Sequence, residues 1–412
     1  MGFGILAKKK MTELFFEKLL DFNSNWKVEA VIFDTLTDEI EIKLKFQLEN
    51  YKQNNVDTYV AIHDYREIRR WRHLDILQYK TFITAKIPRL ITKEGKVESV
   101  NPPWASEGER HTYLFEIMVI DMLLATKNQT KTASMLRCGF NIVNRILHIS
   151  TERGMARRDE NTVYKQLSID EKSFQKGHKY ATVLSDPITG KIIDLSMDRT
   201  KTSCVDLLKR NLNETQRSQV ECVSIDMWKA FISAVGEVLP TSKKVHDRFH
   251  LIKYLNEAID KVRRREVKTN ETLINSRYAL LKNRVNLTEK QYFKFEDVLR
   301  INTQVSYAWR LTECFKNLFG CQNYQEAFNR YTDWSAFCHW ENIPEITKVV
   351  TMFSNHMRGV CNALVEKSSN AMAERLNGKI QEIKTIARGY RTFVNFRSAI
   401  LFFNGGLNLY PH

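Results

Sequence analysis

Two aspartates in this chain follow the same dipeptide, and together they could bind divalent metal ions. Ser168-Ile169-Asp170 and Ser224-Ile225-Asp226 each close a short alternating run typical of a β-strand. Side chains of a strand point alternately to its two faces. Val163, Leu167 and Ile169 occupy alternate positions, as do Val223 and Ile225, so these apolar residues should face the core. Asp170 and Asp226 should therefore point to the opposite, non-core face. Mg²⁺ and Mn²⁺ prefer carboxylate and water oxygens. The pattern therefore predicts a metal site, with a third carboxylate to be sought downstream.

Glu374 is the candidate for that third carboxylate. A helix is predicted from Ala371 to about Arg388, and Glu374 lies nearly opposite its apolar seam. The seam consists of Leu376, Ile380, Ile383 and Ala387. Small neighbours, Ala371 and Gly378, would let this face approach a metal and a DNA strand. A surface glutamate would show the same pattern, so both interpretations stay open.

The overall charge indicates which substrates such a metal site could act on. The chain has 412 residues and carries 63 Lys and Arg against 48 Asp and Glu, a formal charge of +15. Such a charge attracts polyanions, which favours nucleic acid as the partner. The alternative is that the charge only aids solubility. At this length the chain should hold about two to four domains.

Targeting signals and disulfides are not expected. The N-terminus lacks the apolar core of a signal peptide, and no stretch approaches the length of a membrane span. The seven cysteines are scattered without a C-x-x-C pair, which favours reduced thiols in a cytosol and makes structural zinc improbable. We therefore expect a cytoplasmic protein without a membrane partner. Cys222 and Trp228 are expected to pack in a core.

Residues 1–107 are predicted to form a small β-rich module. Alternation is clear over 39–46, and a basic, aromatic stretch covers 65–73. Its arginines Arg69, Arg70 and Arg72 are candidate DNA contacts. Prolines near 101–110 mark the boundary of the module.

Residues 108–160 are predicted to be helical, with a break at Asn128, a short helix, a turn near Cys138 and a second helix. This succession resembles a helix-turn-helix whose second helix could enter a major groove. The candidate DNA contacts are Asn141, Asn144, Arg145, Arg157 and Arg158. The alternative is an ordinary helical hairpin.

Residues 161–250 alternate strand and helix signals in the order βββαβαβ, with 186–190 as a hairpin turn. By analogy this is the order of a ribonuclease-H-like mixed sheet. Residues 251–366 read as an all-helical insertion, and 367–412 return to the core with Glu374. The fold class is therefore α+β with several domains.

The helical insertion carries a possible phosphate-binding stripe. Lys261, Arg264, Arg265 and Lys268 recur at spacings of three and four, which puts them on one side of a helix. Such a stripe could follow a phosphate backbone. The alternative is an ordinary solvated face.

Several motifs in order resemble the DDE transposases of the bacterial ISL3 insertion-sequence family. The resemblance spans about residues 60–400. It is carried by the segments Tyr65-Arg66, 70–75, 103–105, 169–174, 177–180, Ser224–Phe231, Asp247-Arg248-Phe249-His250 and Ser369–Asn377.

The resemblance implies a function and assigns roles to residues. Asp170, Asp226 and Glu374 match the catalytic triad, which would hold two Mg²⁺ (or Mn²⁺) ions for DNA strand cleavage and strand transfer at terminal inverted repeats. It also implies a homodimer or higher multimer on double-stranded DNA. Family members carry a cysteine-based zinc module at the N-terminus. The first cysteine of this chain is Cys138, so that zinc site cannot form here.

Four further polar residues are candidates for supporting roles near the metal. They are His178, Asp247, His250 and Asn377. Asp247 and His250 could instead be a helix cap and a residue packed beneath it. The rival function is a catalytically inactive or repurposed DNA-binding protein derived from a transposase. A ribonuclease or repair nuclease on the same fold would explain the metal site but not the helix-turn-helix or the basic insertion.

Overall fold

The computed structural model describes residues 2–54, 59–175, 179–301, 303–366 and 371–411, without the side chains of 2–10, 53–54, 59–60 and 371–374. The chain divides into two compact units. One comprises residues 1–158 together with 407–412, and the other comprises 159–406. Each unit contains one five-stranded mixed sheet.

The first unit begins with a helix and a mixed sheet. The strands run in the order β1-β2-β4-β3, with β5 beside β4, and only the β2–β4 pair is parallel. The bounds are α1 Gly2–Leu20, β1 Trp26–Asp34, β2 Glu39–Phe46, α2 Leu48–Asn54, β3 Tyr59–Arg72, β4 Lys80–Thr92 and β5 Val97–Ser99. The strand predicted at 39–46 is confirmed, and its alternate apolar residues are buried. Trp104 packs edge-on against Trp26 and Trp71, closing this core.

Three helices complete the first unit: α3 Tyr113–Thr126, α4 Gln129–Met135 and α5 Phe140–Ala156. The predicted break is confirmed, because Lys127 is left-handed and Asn128 caps α4 through its side chain. Val143, Ile146 and Leu147 of α5 are fully buried, as their spacing predicts. The end of the chain belongs to the same unit, since the Arg153 guanidinium donates to the Leu409 carbonyl oxygen at 2.8 Å.

The second unit is built on a sheet of order β10-β9-β6-β7-β8. Strands β6, β7 and β8 are antiparallel neighbours, while β6, β9 and β10 run parallel to one another. The bounds are β6 Gln166–Gln175, β7 Lys179–Asp186, β8 Lys191–Met197, α6 Lys201–Asn211, α7 Glu214–Gln219, β9 Cys222–Ile225, α8 Lys229–Val238 and β10 Lys243–His246. The predicted order is confirmed, with α7 as an added short helix. This topology is compatible with a ribonuclease-H-like core.

The two faces of this sheet belong to different cores. Leu167, Ile169, Val223 and Ile225 pack with α6 and α8 on one side. Cys222 and Val245 pack on the other side with the helices that follow, so the prediction that Cys222 is buried is confirmed. Val163 lies before β6 and is exposed, so its predicted inward position was wrong. Both faces of the sheet are therefore covered.

The predicted helical region is confirmed. Its helices are α9 Arg248–Glu266, α10 Arg277–Leu281, α11 Glu289–Arg300, α12 Gln304–Lys316, α13 Tyr324–Glu341, α14 Pro344–Asn355 and α15 Met357–Val365. Phe315, Tyr331 and Phe353 form its fully buried aromatic centre. Helix α15 lies so close to β10 that a Cβ at Gly359 would stand 2.5 Å from the His246 ring. Only glycine permits that approach.

Two helices end the second unit: α16 Ala371–Ile386 and α17 Phe393–Asn404. The predicted seam of α16 is buried at Leu376, Ile380 and Ile383. Ala387 is exposed and lies beyond the helix, so its predicted place in the seam was wrong. Gly389, with φ +95°, follows the end of the helix, and its N–H donates to the Lys384 carbonyl.

A buried carboxylate joins α6 and α17 to the sheet. Asp194 of β8 is 1% exposed and accepts hydrogen bonds from Arg397 at 2.6 Å, Arg210 at 2.9 Å and Asn211 at 3.0 Å. Burial alone would raise the pKa of Asp194, but the Arg397 and Arg210 guanidinium groups hold the pKa below its ordinary value. The carboxylate therefore stays charged in the folded protein.

We predict that Asp194→Asn lowers the free energy of unfolding of this unit by about 2–4 kcal/mol, because two arginines lose their counter-charge. Both arginines reach solvent, which keeps the loss below that of a fully buried pair. The depressed pKa makes this contribution present above about pH 4, the unfolded value, and lost as pH falls through the lower folded pKa. Urea unfolding between pH 7 and pH 2 measures it. Asp206→Asn, at an exposed position of α6, is the control, and equal losses in the two variants would contradict the prediction.

Candidate active site

Three aspartates stand at the same level of three adjacent parallel strands. Asp226 and Asp247 come directly after β9 and β10, whereas Asp170 lies within β6, which continues to Gln175, so the prediction that Asp170 closes its strand was wrong. Ile169 of β6 is paired with Ile225 of β9, and Ile225 is paired with His246 of β10. The next residues along the chain are Asp170, Asp226 and Asp247. Because parallel strands in register place corresponding residues side by side, the sheet itself brings these three residues to one place. The sequence predicted the first two from their shared motif.

Asp170 and Asp226 present their carboxylates in the same way. Each uses its Oδ1 to accept the N–H of the following residue, Glu171 at 2.7 Å and Met227 at 2.6 Å. Their side chains are 21% and 25% exposed, so both carboxylates are partly buried. The second oxygen of each carboxylate is left for other groups.

His250 lies between these two aspartates. Its Nε2 is 3.9 Å from Asp170 Oδ1, and its Nδ1 is 3.4 Å from Asp226 Oδ2. The ring belongs to the first turn of α9 and is 20% exposed. Contact of one imidazole with both carboxylates shows that Asp170 and Asp226 are neighbours in space.

Two groups around the aspartates were missed in the sequence. Tyr254, one turn after His250, donates to Asp226 at 3.3 Å. Burial and the Asp226 charge raise the pKa of Tyr254 to about 12, so the phenol stays a donor. Lys172 is 3.0 Å from Asp170 Oδ2. The i+4 spacing of Tyr254 from His250 and the i+2 spacing of Lys172 from Asp170 were the available signals.

Asp247 is the N-cap of α9. Its carboxylate accepts the Phe249 N–H at 2.8 Å, so the capping interpretation is confirmed. Burial raises the pKa of Asp247, and the charges of Asp170 and Asp226 raise it further, while the Phe249 N–H and His250 act in the opposite direction. Asp247 is therefore both a cap and a third negative group beside the pair.

An aromatic and arginine cluster follows Asp226 along the chain. Trp228 is 43% exposed, so the prediction that it anchors the core was wrong. Its Nε1 donates to the Arg199 carbonyl at 3.1 Å, and the Arg199 guanidinium lies between the rings of Trp228 and Tyr180, 4.9 and 4.6 Å from their centroids. Glu171 pairs with Arg199 at 3.1 Å. A surface of stacked planar groups thus adjoins both aspartates.

Three further candidates for the metal site are only partly covered by the described residues. Glu374 is in the first turn of α16, but its side chain is outside the described part of the structure. Asn377, one turn later, is half-buried. His178 lies outside the described residues. The convergence of Glu374 with the aspartates therefore stays a prediction.

The chemistry of the described donors suits a hard divalent cation. The carboxylates of Asp170 and Asp226 are neighbours, and carboxylate oxygens are the ligands that such a cation prefers. Lys172 lies beside Asp170, and His250 lies beside Asp226. Within the described ranges, no group of three or more His, Cys, Asp or Glu side chains is arranged to hold a metal ion. Two aspartates alone would leave most of the coordination sphere to water and to a further carboxylate.

The predicted DNA contacts of the first unit differ in accessibility. Arg69 is exposed and its guanidinium stacks over Trp71, while Arg70 is exposed and pairs with Glu39. Arg72 is only 6% exposed and donates to the His73 and Thr81 carbonyls. Its charge is used inside the protein.

Helix α5 and the residues after it hold the other predicted contacts of that unit. Asn141 is exposed and Asn144 is half-buried. Arg145 is 61% exposed and forms a two-pronged ion pair with Glu109 at 2.7 and 2.9 Å. Arg157 donates to the Tyr410 carbonyl at 2.6 Å, and Arg158 is half-buried.

The predicted stripe of the helical region is partly neutralised. Arg264 pairs with Asp260 at 2.6 Å, and Arg265 pairs with Glu345 at 2.8 Å. Lys261 and Lys268 are exposed. The four charges are therefore not equivalent.

Across the described residues, no helix combines the length and apolar character needed to traverse a bilayer.

Comparison with known proteins identifies the family. The family model for DDE transposases of the ISL3 type, described as "Transposase", matches residues 167–400. The chain is 25% identical to the transposase for insertion sequence element IS1557 of Mycobacterium tuberculosis, over 79% of each chain. It is also 25% identical to the transposase for insertion sequence element IS1001 of Bordetella parapertussis, over 81% of this chain and 84% of that one. The family match covers more than half of the chain and contains Asp170, Asp226, His250 and Glu374, so this protein belongs to the ISL3 family of DDE transposases.

Proposed function

We propose that this protein binds the terminal inverted repeats of an insertion sequence and catalyses metal-dependent DNA strand cleavage and strand transfer. The observation that carries the proposal is the contact of both Asp170 and Asp226 with His250, at one level of neighbouring parallel strands in a sheet of ribonuclease-H-like order. Phosphoryl transfer needs stabilisation of negative charge on the attacking and leaving oxygens. Divalent cations between carboxylates supply it.

Asp170, Asp226 and Glu374 are proposed to hold two Mg²⁺ or Mn²⁺ ions. When bound, such a pair activates the attacking water or 3′-hydroxyl and stabilises the leaving oxygen. The residues around the aspartates act on them directly. Tyr254 and the Met227 N–H fix the Asp226 carboxylate, and the Glu171 N–H fixes that of Asp170. These fixed donors hold each carboxylate in a set orientation, which suits an in-line displacement.

Lys172 and His250 are proposed to occupy positions beside the aspartate oxygens that the metal ions would take when they bind. Both approach the oxygens that a metal would use. Asp247 sets the start of α9 and so orients His250 one turn into the helix. Asn377 and His178 are proposed to lie near the DNA backbone or the Glu374 carboxylate.

DNA recognition is assigned to the exposed cations and polar groups outside the metal site. Arg69, Arg70, Asn141, Asn144 and Arg145 are the proposed contacts of the first unit, with Arg157 and Arg158 at the end of α5. Buried Arg72 is left out, because a guanidinium enclosed by carbonyl oxygens cannot reach a phosphate. No cysteine precedes Cys138, so the N-terminal sheet must act without cysteine-bound zinc.

A homodimer or higher multimer, assembled on the two ends of an element in the bacterial cytoplasm, is part of the proposal. The competing function is a DNA-binding protein that has lost catalysis. The three acidic residues are all present in the sequence, which favours the enzyme.

We predict that Asp226→Asn lowers strand cleavage by roughly 10³-fold, the scale of losing one stabiliser of transition-state charge, while the Kd for DNA stays close to that of the wild type. The substrate is duplex DNA carrying the inverted repeats that flank the gene, with Mg²⁺ or Mn²⁺, and products are resolved on sequencing gels. Asp297→Asn, at an exposed position of α11, is the control. Unimpaired cleavage by Asp226→Asn would remove this residue from the mechanism.

We predict that Glu374→Gln weakens Mn²⁺ binding by about tenfold or more, because it removes one carboxylate ligand. Calorimetric titration of the metal-free protein with Mn²⁺ measures this without any turnover. Glu382→Gln, on the same helix, is the matched control and should bind Mn²⁺ like the wild type. Equal affinity in the Glu374 variant and the wild type would show that the helix does not reach the aspartates.

We predict that Asp247→Asn raises the thermal stability of the metal-free protein at pH 7. Asparagine keeps the cap but removes a charge that lies beside two others. The raised pKa of Asp247 means that the charged form destabilises the fold, so wild type and variant should converge as pH falls below that pKa toward the unfolded value. Calorimetric scans from pH 7 to pH 4 test this. A variant less stable than the wild type at pH 7 would contradict it.

A further inference from the structure

A groove of about 460 Å³ runs along one face of α9 toward α10. The residues of α9 that line it recur at helical spacing: Phe249, Ile252, Lys253, Asn256, Glu257, Asp260, Lys261 and Arg264. Arg277 and Leu281 of α10 form the facing wall. From Phe249 to Arg264 the groove extends roughly 22 Å, at 1.5 Å per residue.

The groove starts beside the candidate active site. Phe249 immediately precedes His250, and their rings are 5.6 Å apart. His250 and Tyr254, which contact the aspartates, occupy the stripe of α9 next to Phe249 and Lys253. A chain lying in the groove would therefore lead to the two carboxylates.

Cations outnumber anions along the groove. Lys253, Lys261, Arg264 and Arg277 line it, against Glu257 and Asp260. Asp260 is 4% exposed and pairs with Arg263 and Arg264, with Arg277 at 3.8 Å. The buried Asp260 holds these guanidinium groups in place while Lys253 and Lys261 extend into solvent. The lining thus suits a polyanion.

The exposed ring of Phe249 indicates which kind of polyanion the groove would bind. Phe249 is 50% exposed although it stands beside a large buried core. A base offers its face to such a ring only when it is not stacked between neighbours, so the ring favours unpaired nucleotides over a continuous duplex.

We propose that this groove binds the unpaired DNA strand next to the scissile phosphate, with Phe249 stacked on a base and Lys253, Lys261 and Arg277 facing the phosphates. This inference rests on the proposed function, because strand cleavage at the end of the element is what would supply an unpaired strand. Its binding chemistry does not depend on catalysis. The same groove accounts for Lys261 and Arg264 of the predicted stripe and leaves Arg265 and Lys268 outside.

The test is binding of fluorescein-labelled oligodeoxythymidine to the full chain in the presence of EDTA, measured by anisotropy. Phe249→Ala is expected to weaken binding roughly 5- to 100-fold, the range for losing one stacked base. Phe249→Leu, which keeps apolar volume, should weaken it too, whereas Phe249→Trp should retain it. Phe293→Ala is the matched control, since Phe293 is 60% exposed on α11 and does not line the groove.

Salt dependence tests the phosphate contacts. Lys261→Ala should reduce the slope of log affinity against log salt by about 0.7, the value for one phosphate of a single strand. Lys290→Ala, an exposed lysine of α11, should leave the slope unchanged. Thermal scans confirm that each variant is folded.

The outcomes separate this proposal from the proposed function. Oligonucleotide affinity of Phe249→Ala and Phe249→Leu equal to that of wild type, or an equal loss in Phe293→Ala, overturns the groove. Asp226→Asn should bind oligodeoxythymidine like the wild type in EDTA. If the wild type does not cleave DNA but the Phe249 variants lose oligodeoxythymidine affinity, only the enzymatic assignment is overturned. If the wild type cleaves DNA but the Phe249 variants keep their affinity, only the groove is overturned.

Discussion

The register of three parallel strands is the constraint on which the site depends. Ile169, Ile225 and His246 are paired across β6, β9 and β10, so the residues that follow them, Asp170, Asp226 and Asp247, stand at one level of the sheet. A shift of one residue in any strand would turn its aspartate to the opposite face. The register is held by burial of Leu167, Ile169, Val223 and Ile225 against α6 and α8. The apolar side of the sheet thus determines where the acidic groups stand.

Placing carboxylates together has an electrostatic cost that the surrounding residues offset. Asp170 has Lys172 and the Glu171 N–H, and Asp226 has Tyr254 and the Met227 N–H. His250 faces both. Burial raises the pKa of Asp247 most, and the charges of Asp170 and Asp226 add to it, despite the opposing Phe249 N–H and His250. The partners of Asp170 and Asp226 offset the repulsion between these two carboxylates in the absence of cations, while both side chains stay partly exposed.

Much of this could be predicted from the sequence because strand alternation is a local signal. The strands around Asp170 and Asp226, the hairpin turn at 186–190 and the buried seam of α16 follow from periodicity and turn chemistry. Trp228 and Tyr254 did not follow. Whether a tryptophan after a strand is buried depends on Arg199 and Tyr180, which pack against it from other elements. The i+4 spacing places Tyr254 on the same side of α9 as His250, but that this side faces Asp226 depends on how α9 packs against the sheet.

The helical region belongs to the same compact unit as the second sheet and shares a core with it. Cys222 and Val245 of the sheet belong to the same buried core as Leu255, Phe315 and Phe353, so the second face of the sheet is covered by this region. Helix α9 begins at the cap formed by Asp247 after β10 and carries His250, Tyr254 and Phe249. Its apolar face is fixed by the helical core through Leu251 and Leu255, both fully buried. The position of the His250 and Tyr254 side chains is therefore set by packing on the far side of α9. Removal of the helices between α9 and α16 would uncover the sheet and release His250 and Tyr254 together.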